Sequence, residues 1–294
     1  MDNKKKQNMV PLKELNLTNR FLFDEVMEDS QTQQEVLSII FGKEIPLLQN
    51  ETEKEFRISP AIRSIRMDVF SMDEKENAYS TEMQNCYKPD LQKRSRYYQA
   101  LMDTSLLEPG IPNYNQLNNT FLIIITTFDL FGKKKYQYTF RARCEEAPDC
   151  VLNDGATRIF LNTRGENDGE VSEELVEFLH YLEETTDELA QKAGSQRIRN
   201  IHRRVCKVKT SEAIGVKYMQ AWEERYYEKE EAREEGRAEG ERDGLEKGRY
   251  EKLKELVAKK MAKGQSEKQI AEALEESVNT IRILCEELAQ PKKT

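Results

Sequence analysis

The chain has 294 residues, with 46 Lys and Arg against 54 Asp and Glu, a formal net charge of −8, and 37% apolar residues. That is ample to bury a core, as one large domain or two smaller ones. No stretch approaches the roughly 18–20 apolar residues of a membrane helix, and the lysines of MDNKKKQNMV have no apolar segment behind them, so neither a membrane span nor a secretory leader is expected. The five cysteines (Cys86, Cys144, Cys150, Cys206, Cys285) are scattered, no C-x-x-C pair occurs, and His180 and His202 are the only histidines. A thiolate or imidazole zinc site is not expected from that pattern, and a reducing cytoplasm is the natural compartment. The acidic balance speaks against nucleic acid unless a basic face is segregated from an acidic tail.

In chain order, Asn19 to Ile40 carries Phe21, Val26, Val36, Leu37 and Ile40 at helical spacing. This predicts two helices broken near Asp29 and Ser30, the first capped by Thr18 and the second stopped by Gly42. Ser64 to Ser71 alternates, with Ile65, Met67 and Val69 on one face and Arg66, Asp68 and Phe70 on the other, predicting a strand. Asp73 to Asn77 reads as a polar turn and Ala78 to Asn85 as a second strand. Pro89 suits the first turn of a helix that reaches about Leu107. Phe121 to Phe128, FLIIITTF, is a continuous β-branched apolar run, the pattern of a buried central strand. Tyr136 to Ala142 and Ala156 to Leu161 add strands, and a helical region runs from Ser172 to about residue 222. Within it, Gln191 to Thr210 is rich in Lys and Arg and holds no acid.

From Glu223 the chain is dense in Glu, Arg and Lys, with Gly236, Gly240, Gly244 and Gly248 in a row. This reads as a mixed-charge helix weakened by roughly 1 kcal/mol per glycine, or as a face on which two helices approach closely. Residues 252–290 predict three short helices, with Gly264 as a stop, Ser266 and Gln269 as a capping box and Ser277 as the last cap.

Residues two apart on a strand share a face, so Glu82 and Gln84 project together while Met83 faces the core. A hairpin around Asp73 to Asn77 brings Asp68 beside them. Two converging carboxylates with few competing bases make an oxygen-donor site suited to Mg2+ or Mn2+. Such an ion lowers the pKa of a bound water and neutralises charge on the leaving oxygen of a phosphodiester. The same Asp and Glu also fit ordinary acids at strand edges and turns. Arg66 shares the face of Asp68 and suits a carboxylate or DNA. Arg94 and Tyr98 lie one helical turn apart, as phosphate-binding and site-supporting groups or as core with wet tyrosine tips. Lys192, Arg197, Arg199, Arg203, Arg204, Lys207 and Lys209 fit a phosphate track, a solvated helix face, or pairing with the acidic tail.

The string SIRMDVFSMDEKENAYSTEMQ, followed by RSRYYQALMD, resembles the PD-(D/E)xK nuclease family transposases, relatives of recombination-promoting nucleases. The likeness rests on Arg66, Asp68 and Val69, on Glu82, Met83 and Gln84, and on Arg94, Tyr97 and Tyr98. LTNRFLFDEVM looks like the opening helix and FLIIITTFDLF like a core strand, and the resemblance spans roughly residues 15–210. It implies an α/β, restriction-endonuclease-like core, a mixed sheet flanked by helices, with Asp68, Glu82 and Gln84 catalytic and DNA as substrate. Two departures stand out. Gln84 sits where many superfamily members carry lysine, and Phe23-Asp24-Glu25 replaces a Phe-Lys pair. Glu25 is the candidate for the extra helix carboxylate that some members aim at the metal, and it fits equally an ordinary exposed helix acid. The segment KGQSEKQIAEALEESVNTIRIL resembles a helix-turn-helix, but beside Asn279, Thr280 and Arg282 its second helix carries Glu286 and Glu287, so a capping or dimerising bundle fits equally.

These features predict a metal-dependent DNA endonuclease acting in recombination, transposon-like mobility or defence. The nuclease-like domain would span 1–215, a charged linker helix 216–250 and an all-α segment 251–294. Asp68, Glu82 and Glu25 would hold Mg2+ or Mn2+, and Arg66, Arg94, Arg197, Arg199, Arg203 and Arg204 would meet DNA. A homodimer through the carboxy-terminal helices is expected, and no membrane partner. The alternative is a weak or inactive nuclease fold that binds nucleic acid or protein through its tail.

Overall fold

A computed structural model describes residues 9–56, 65–107, 110 and 112–289. The chain divides into two units, Met1–Met219 and Gln220–Thr294. In the first, two helices, α1 (Arg20–Met27) and α2 (Ser30–Phe41), precede β1 (Leu47–Phe56), β2 (Ile65–Asp73) and β3 (Ala78–Gln84). Then come α3 (Leu91–Leu106), β4 (Thr120–Thr126), β5 (Gln137–Phe140), β6 (Ala156–Asn162), α4 (Glu173–Glu183), α5 (Asp187–Lys192) and α6 (Gln196–Thr210). The strands form one mixed sheet in the order β1-β2-β3-β4-β6-β5. β1, β2 and β3 are antiparallel, β3, β4 and β6 run parallel, and β5 pairs antiparallel to β6.

β4 explains why its sequence is apolar throughout. Ile123 and Ile125 join the core built by α1, α2, α4 and α6, while Leu122 and Ile124 join the core on the α3 side. Both faces of the strand are therefore covered, as the parallel β3-α3-β4 connection requires. Residues of α6 that pack into the first core, Ile198, Ile201, Val205 and Val208, recur every three or four positions.

Several local expectations shift. Asn19, not Thr18, caps α1, accepting from Leu22 N, and Asp29 caps α2, accepting from Thr32 N at 2.9 Å. Gly42 stops α2 in the left-handed region at φ 64°. Pro89 lies outside α3, which starts at Leu91 behind Asp90. β1, LLQNETEKEF, was not foreseen: it is polar along most of its length, as a sheet-edge strand can be. Ser64 lies outside the described residues, and β2 runs on to Asp73.

The predicted alternation of β2 breaks near its centre. Met67 and Phe70 share the α3-side core, while Val69 joins the other. Opposite this point, Thr52 pairs with Val69 and Lys54 with Met67, and between them Glu53 takes φ 51°. The irregularity lies at Asp68.

The turn between β2 and β3 is organised by one side chain. The Asp73 carboxylate accepts from Lys75 N, Asn77 N, Asn77 Nδ2 and Tyr79 OH at 2.8–2.9 Å. Burial pushes its pKa up, but these donors outweigh burial and hold it below the usual carboxylate range.

In the second unit, the helix α7 (Glu212–Met261), which begins in the first, packs its end against α8 (Glu267–Leu274) and α9 (Val278–Ala289) through Val257, Ile270, Ala271, Ile281 and Leu284. The Ser266–Gln269 capping box is present, and Ser277 Oγ accepts from Thr280 N at 3.0 Å. Arg282 pairs with Glu267 at 3.5 Å. A Cβ added at Gly236, Gly240, Gly244 or Gly248 would meet no described atom within 4 Å. No helix among the described residues is long and apolar enough to cross a membrane.

Asp73→Ala is expected to cost about 2–3 kcal/mol, the scale of a charge-assisted hydrogen-bond set lost from a turn. Because the folded carboxyl titrates below its unfolded value, its contribution is present above about pH 4 and fades as pH falls through the folded value. Urea unfolding of wild type and variant at neutral and acidic pH measures both; a constant difference between them would remove the charge from the account.

Candidate active site

β2 and β3 pair from Met72–Ala78 to Val69–Thr81, and Asp68 and Glu82 come next on each strand. β2 stays with β1 and β3 stays with β4, so the two strands part and leave the two acids at the fork. Both are buried, at 4% and 6% exposure. Asp68 Oδ2 bridges the fork by accepting from Met83 N at 3.1 Å, and Met83 itself is in the core.

The helix α1 lies over this point and supplies two further groups. Arg20 Nη2 is 2.5 Å from Asp68 Oδ1 and also pairs with Asp24, 3.6 Å away on the same helix face. Asp24 Oδ1 and Glu82 Oε1 are both buried and accept no hydrogen bond from any described residue. Burial, then the charge of Asp68, pushes the carboxyls of Asp24 and Glu82 up to about 8. Burial raises Asp68 too, against the opposing pull of Arg20. Three acids thus share one desolvated place with too little positive charge to ionise them all.

Glu25, the helix acid singled out in the sequence, is not the one aimed here. Its carboxylate pairs with Lys217, and Asp24 takes the position beside Asp68. The signal was present as the Arg20–Asp24 spacing of four, one turn of helix, next to buried Phe23 and Met27.

Gln84 is fixed at both ends of its amide. Arg94 Nη2 donates to its Oε1 at 2.5 Å, and its Nε2 donates to Cys86 O at 2.9 Å. Arg94 also lies over the Tyr98 ring, 5.6 Å from its centre, and its charge acts on Asp68 and Glu82. Asp68, Glu82, Gln84 and Arg94 are therefore brought together. Arg66 is not part of that group; it pairs with Glu53 at 3.1 Å.

The basic run is largely tied down. Arg197 pairs with Glu44 and Glu174, Arg204 donates to Glu25 O at 2.9 Å, and Arg199 donates to Ala193 O at 2.5 Å. Arg203 bonds Asn200 within its own helix. Arg197, Arg199 and Arg204 thus tie α6 to Glu44 beyond the end of α2, to α4, to the end of α5 and to α1 rather than forming a continuous free track.

An all-oxygen set of buried carboxylates with open lone pairs fits a hard divalent cation such as Mg2+ or Mn2+. The oxygens of Asp24, Asp68 and Glu82 do not all stand within 4.8 Å of one another, and the Arg20 guanidinium is the cation now on Asp68.

A family model described as PD-(D/E)XK nuclease family transposase matches residues 20–238. Neither the curated proteins nor the solved structures give a significant match.

The titration of Asp24 has a sign that can be checked in metal-free protein. Its carboxyl is raised from 3.8 to about 8, so the folded chain keeps a proton that the unfolded chain releases from about pH 4 upward. Its contribution to stability is present below that range and is lost as pH rises toward 8. Asp24→Asn, which stays neutral, is expected to gain on wild type by about 3–4 kcal/mol between pH 5 and pH 8.5 in EDTA, at about 1.4 kcal/mol per pH unit up to the folded value. Urea midpoints at the two values measure this, and a gap independent of pH would show that Asp24 is not desolvated.

Proposed function

We propose that this chain, which belongs to the PD-(D/E)XK nuclease family transposases, is a metal-dependent deoxyribonuclease that hydrolyses phosphodiester bonds of duplex DNA. Recombination, transposon-like mobility or defence is the setting that suits such an activity. The strongest support is the fork of β2 and β3, where Asp68 and Glu82 are buried beside Asp24 and two carboxylate oxygens lack a donor among the described residues. Asp68, Glu82 and Asp24 would hold Mg2+ or Mn2+. When bound, the ion supplies Lewis-acid chemistry, lowering the pKa of water and neutralising charge on the departing oxygen.

The chain's own groups position the rest. Arg20 would give up Asp68 Oδ1 to the ion and become available to a non-bridging phosphate oxygen. Gln84 is neutral and held by Arg94 and Cys86 O, so it orients an attacking water by hydrogen bonding rather than by charge. Arg94 keeps donors spare for phosphate, since a guanidinium offers five. Arg66 and Arg203 would be the contacts for the DNA backbone, whereas Arg197, Arg199 and Arg204 act first as anchors of α6. The open glycine face of α7 supports pairing of two copies through the carboxy-terminal helices.

Nicking of supercoiled plasmid by purified protein with Mg2+, Mn2+ or EDTA tests this. Metal-dependent cleavage is expected, reduced about 10²–10³-fold in Asp68→Ala and Glu82→Ala, the scale of losing one transition-state electrostatic group. Saturating Mn2+ is also expected to stabilise wild type by about 2.7 kcal/mol at a hundredfold excess over Kd, and not Asp68→Ala. Cleavage undiminished in both variants would place the chemistry elsewhere. Well-folded protein that cleaves with neither metal would leave the binding-module alternative.

A further inference from the structure

A second cluster of ligating groups lies where α5 meets α6, apart from the fork. His202 Nε2 stands 2.8 Å from Asp187 Oδ1 and 3.3 Å from Cys206 Sγ. His202 and Cys206 are four residues apart on α6 and so share one face, and Asp187 is the first residue of α5. One ligand atom from each of the three lies within 4.8 Å of the other two.

Both partners converge on the same ring nitrogen. A nucleophile–base–acid relay needs one partner on each nitrogen, so this is not such a relay. The far nitrogen, Nδ1, is 2.8 Å from the hydroxyl of Tyr181, a core residue of α4 at 1% exposure. The imidazole is thus gripped from inside the protein while Nε2, a thiol and a carboxylate meet at the surface, where the Asp187 side chain is 80% exposed. A metal-binding histidine is oriented in this way, by a group that fixes its second nitrogen. One proton on Nε2 serves only one of its two neighbours; a cation there serves all three.

We propose that Asp187, His202 and Cys206 form a Zn2+ site with an open fourth position. Thiolate and imidazole select Zn2+ over the hard ions suited to the fork. With Zn–N and Zn–O near 2.0 Å and Zn–S near 2.3 Å, tetrahedral neighbours stand about 3.3–3.6 Å apart, so the two spacings from His202 open by only a few tenths of an ångström, while Asp187 and Cys206 already have ligand atoms within 4.8 Å of each other. Burial and then Asp187 push the Cys206 thiol up, so without the ion it is protonated. As the Zn–S bond forms, the S–H proton passes to solvent. The ion's two positive charges are then balanced by one thiolate and one carboxylate. The other charged group coupled to the pair is Lys209 on α6, whose ammonium is lowered by burial. Bound zinc would clasp α5 to the helix that carries Arg199, Arg203 and Arg204. The spacing H-x-x-x-C with an acid from a preceding helix is not one that a search for paired cysteines finds.

Co2+ titration of the reduced full-length protein, followed by absorption, separates this site from the all-oxygen fork, because only a cysteine ligand gives a thiolate-to-cobalt charge-transfer band. One equivalent is expected to produce that band and Zn2+ to bleach it. Cys206→Ser is expected to abolish it while circular dichroism stays that of wild type. Tyr181→Phe should keep the band and weaken affinity by about tenfold or more. A folded wild-type protein without the band overturns the proposal, as does a band that persists in Cys206→Ser. An unchanged affinity in Tyr181→Phe overturns the role given to that hydroxyl.

Discussion

Where β2 and β3 stop pairing, three carboxylates are withdrawn from water into one fork, and much of the first unit is organised around that cost. Isolated acids so placed neutralise rather than stay charged, which is why Asp24 and Glu82 hold their protons to about 8. The arrangement persists because the framework holding it is large. Both faces of the sheet are covered, and the strands that part at the fork are each secured on their far side by another strand. Stability accumulated there is what permits a poorly solvated, charge-poor place to exist at all.

The framework was far more legible in the sequence than the fork's fittings. FLIIITTF could only be a strand covered on two sides, and the polar turn between two extended segments gave the hairpin that sets Asp68 near Glu82. These signals are local, and they agree with the packing. β1 escaped because an edge strand lies half in solvent, and LLQNETEKEF carries little apolar patterning to read. The break in alternation at Asp68 and Val69 escaped for a different reason: it depends on how β1 turns at Glu53 opposite, a long-range fact. Asp24 went unnamed beside Glu25 because the spacing alone does not say which of two adjacent acids comes to the sheet when Leu22, Phe23, Val26 and Met27 are buried.

The basic run carries a similar lesson about charge. Counting cations along 191–210 finds a dense positive stretch, and periodicity finds the apolar face of α6. Neither shows Glu44 and Glu174 waiting for Arg197, nor the carbonyls of Ala193 and Glu25 waiting for Arg199 and Arg204. Helix α6 is cationic partly because it is a keystone among acidic helices. An overall charge of −8 then says little about where phosphate would lie.

Adjacent acids on one helix also raise a question of indexing. Successive residues are turned about 100° around the helix axis, so with Leu22, Phe23, Val26 and Met27 all buried, α1 presents one of Asp24 and Glu25 to the fork and not both. That buried stripe sets the rotation, and the Lys217 ion pair on Glu25, together with the Arg204 bond to the Glu25 carbonyl, takes up the acid that is not at the fork. Glu25 matters by being held elsewhere. In a relative whose helix carried its acid one place later, the apolar stripe would have to move with it, and the positions of its buried residues would disclose which setting that protein had chosen.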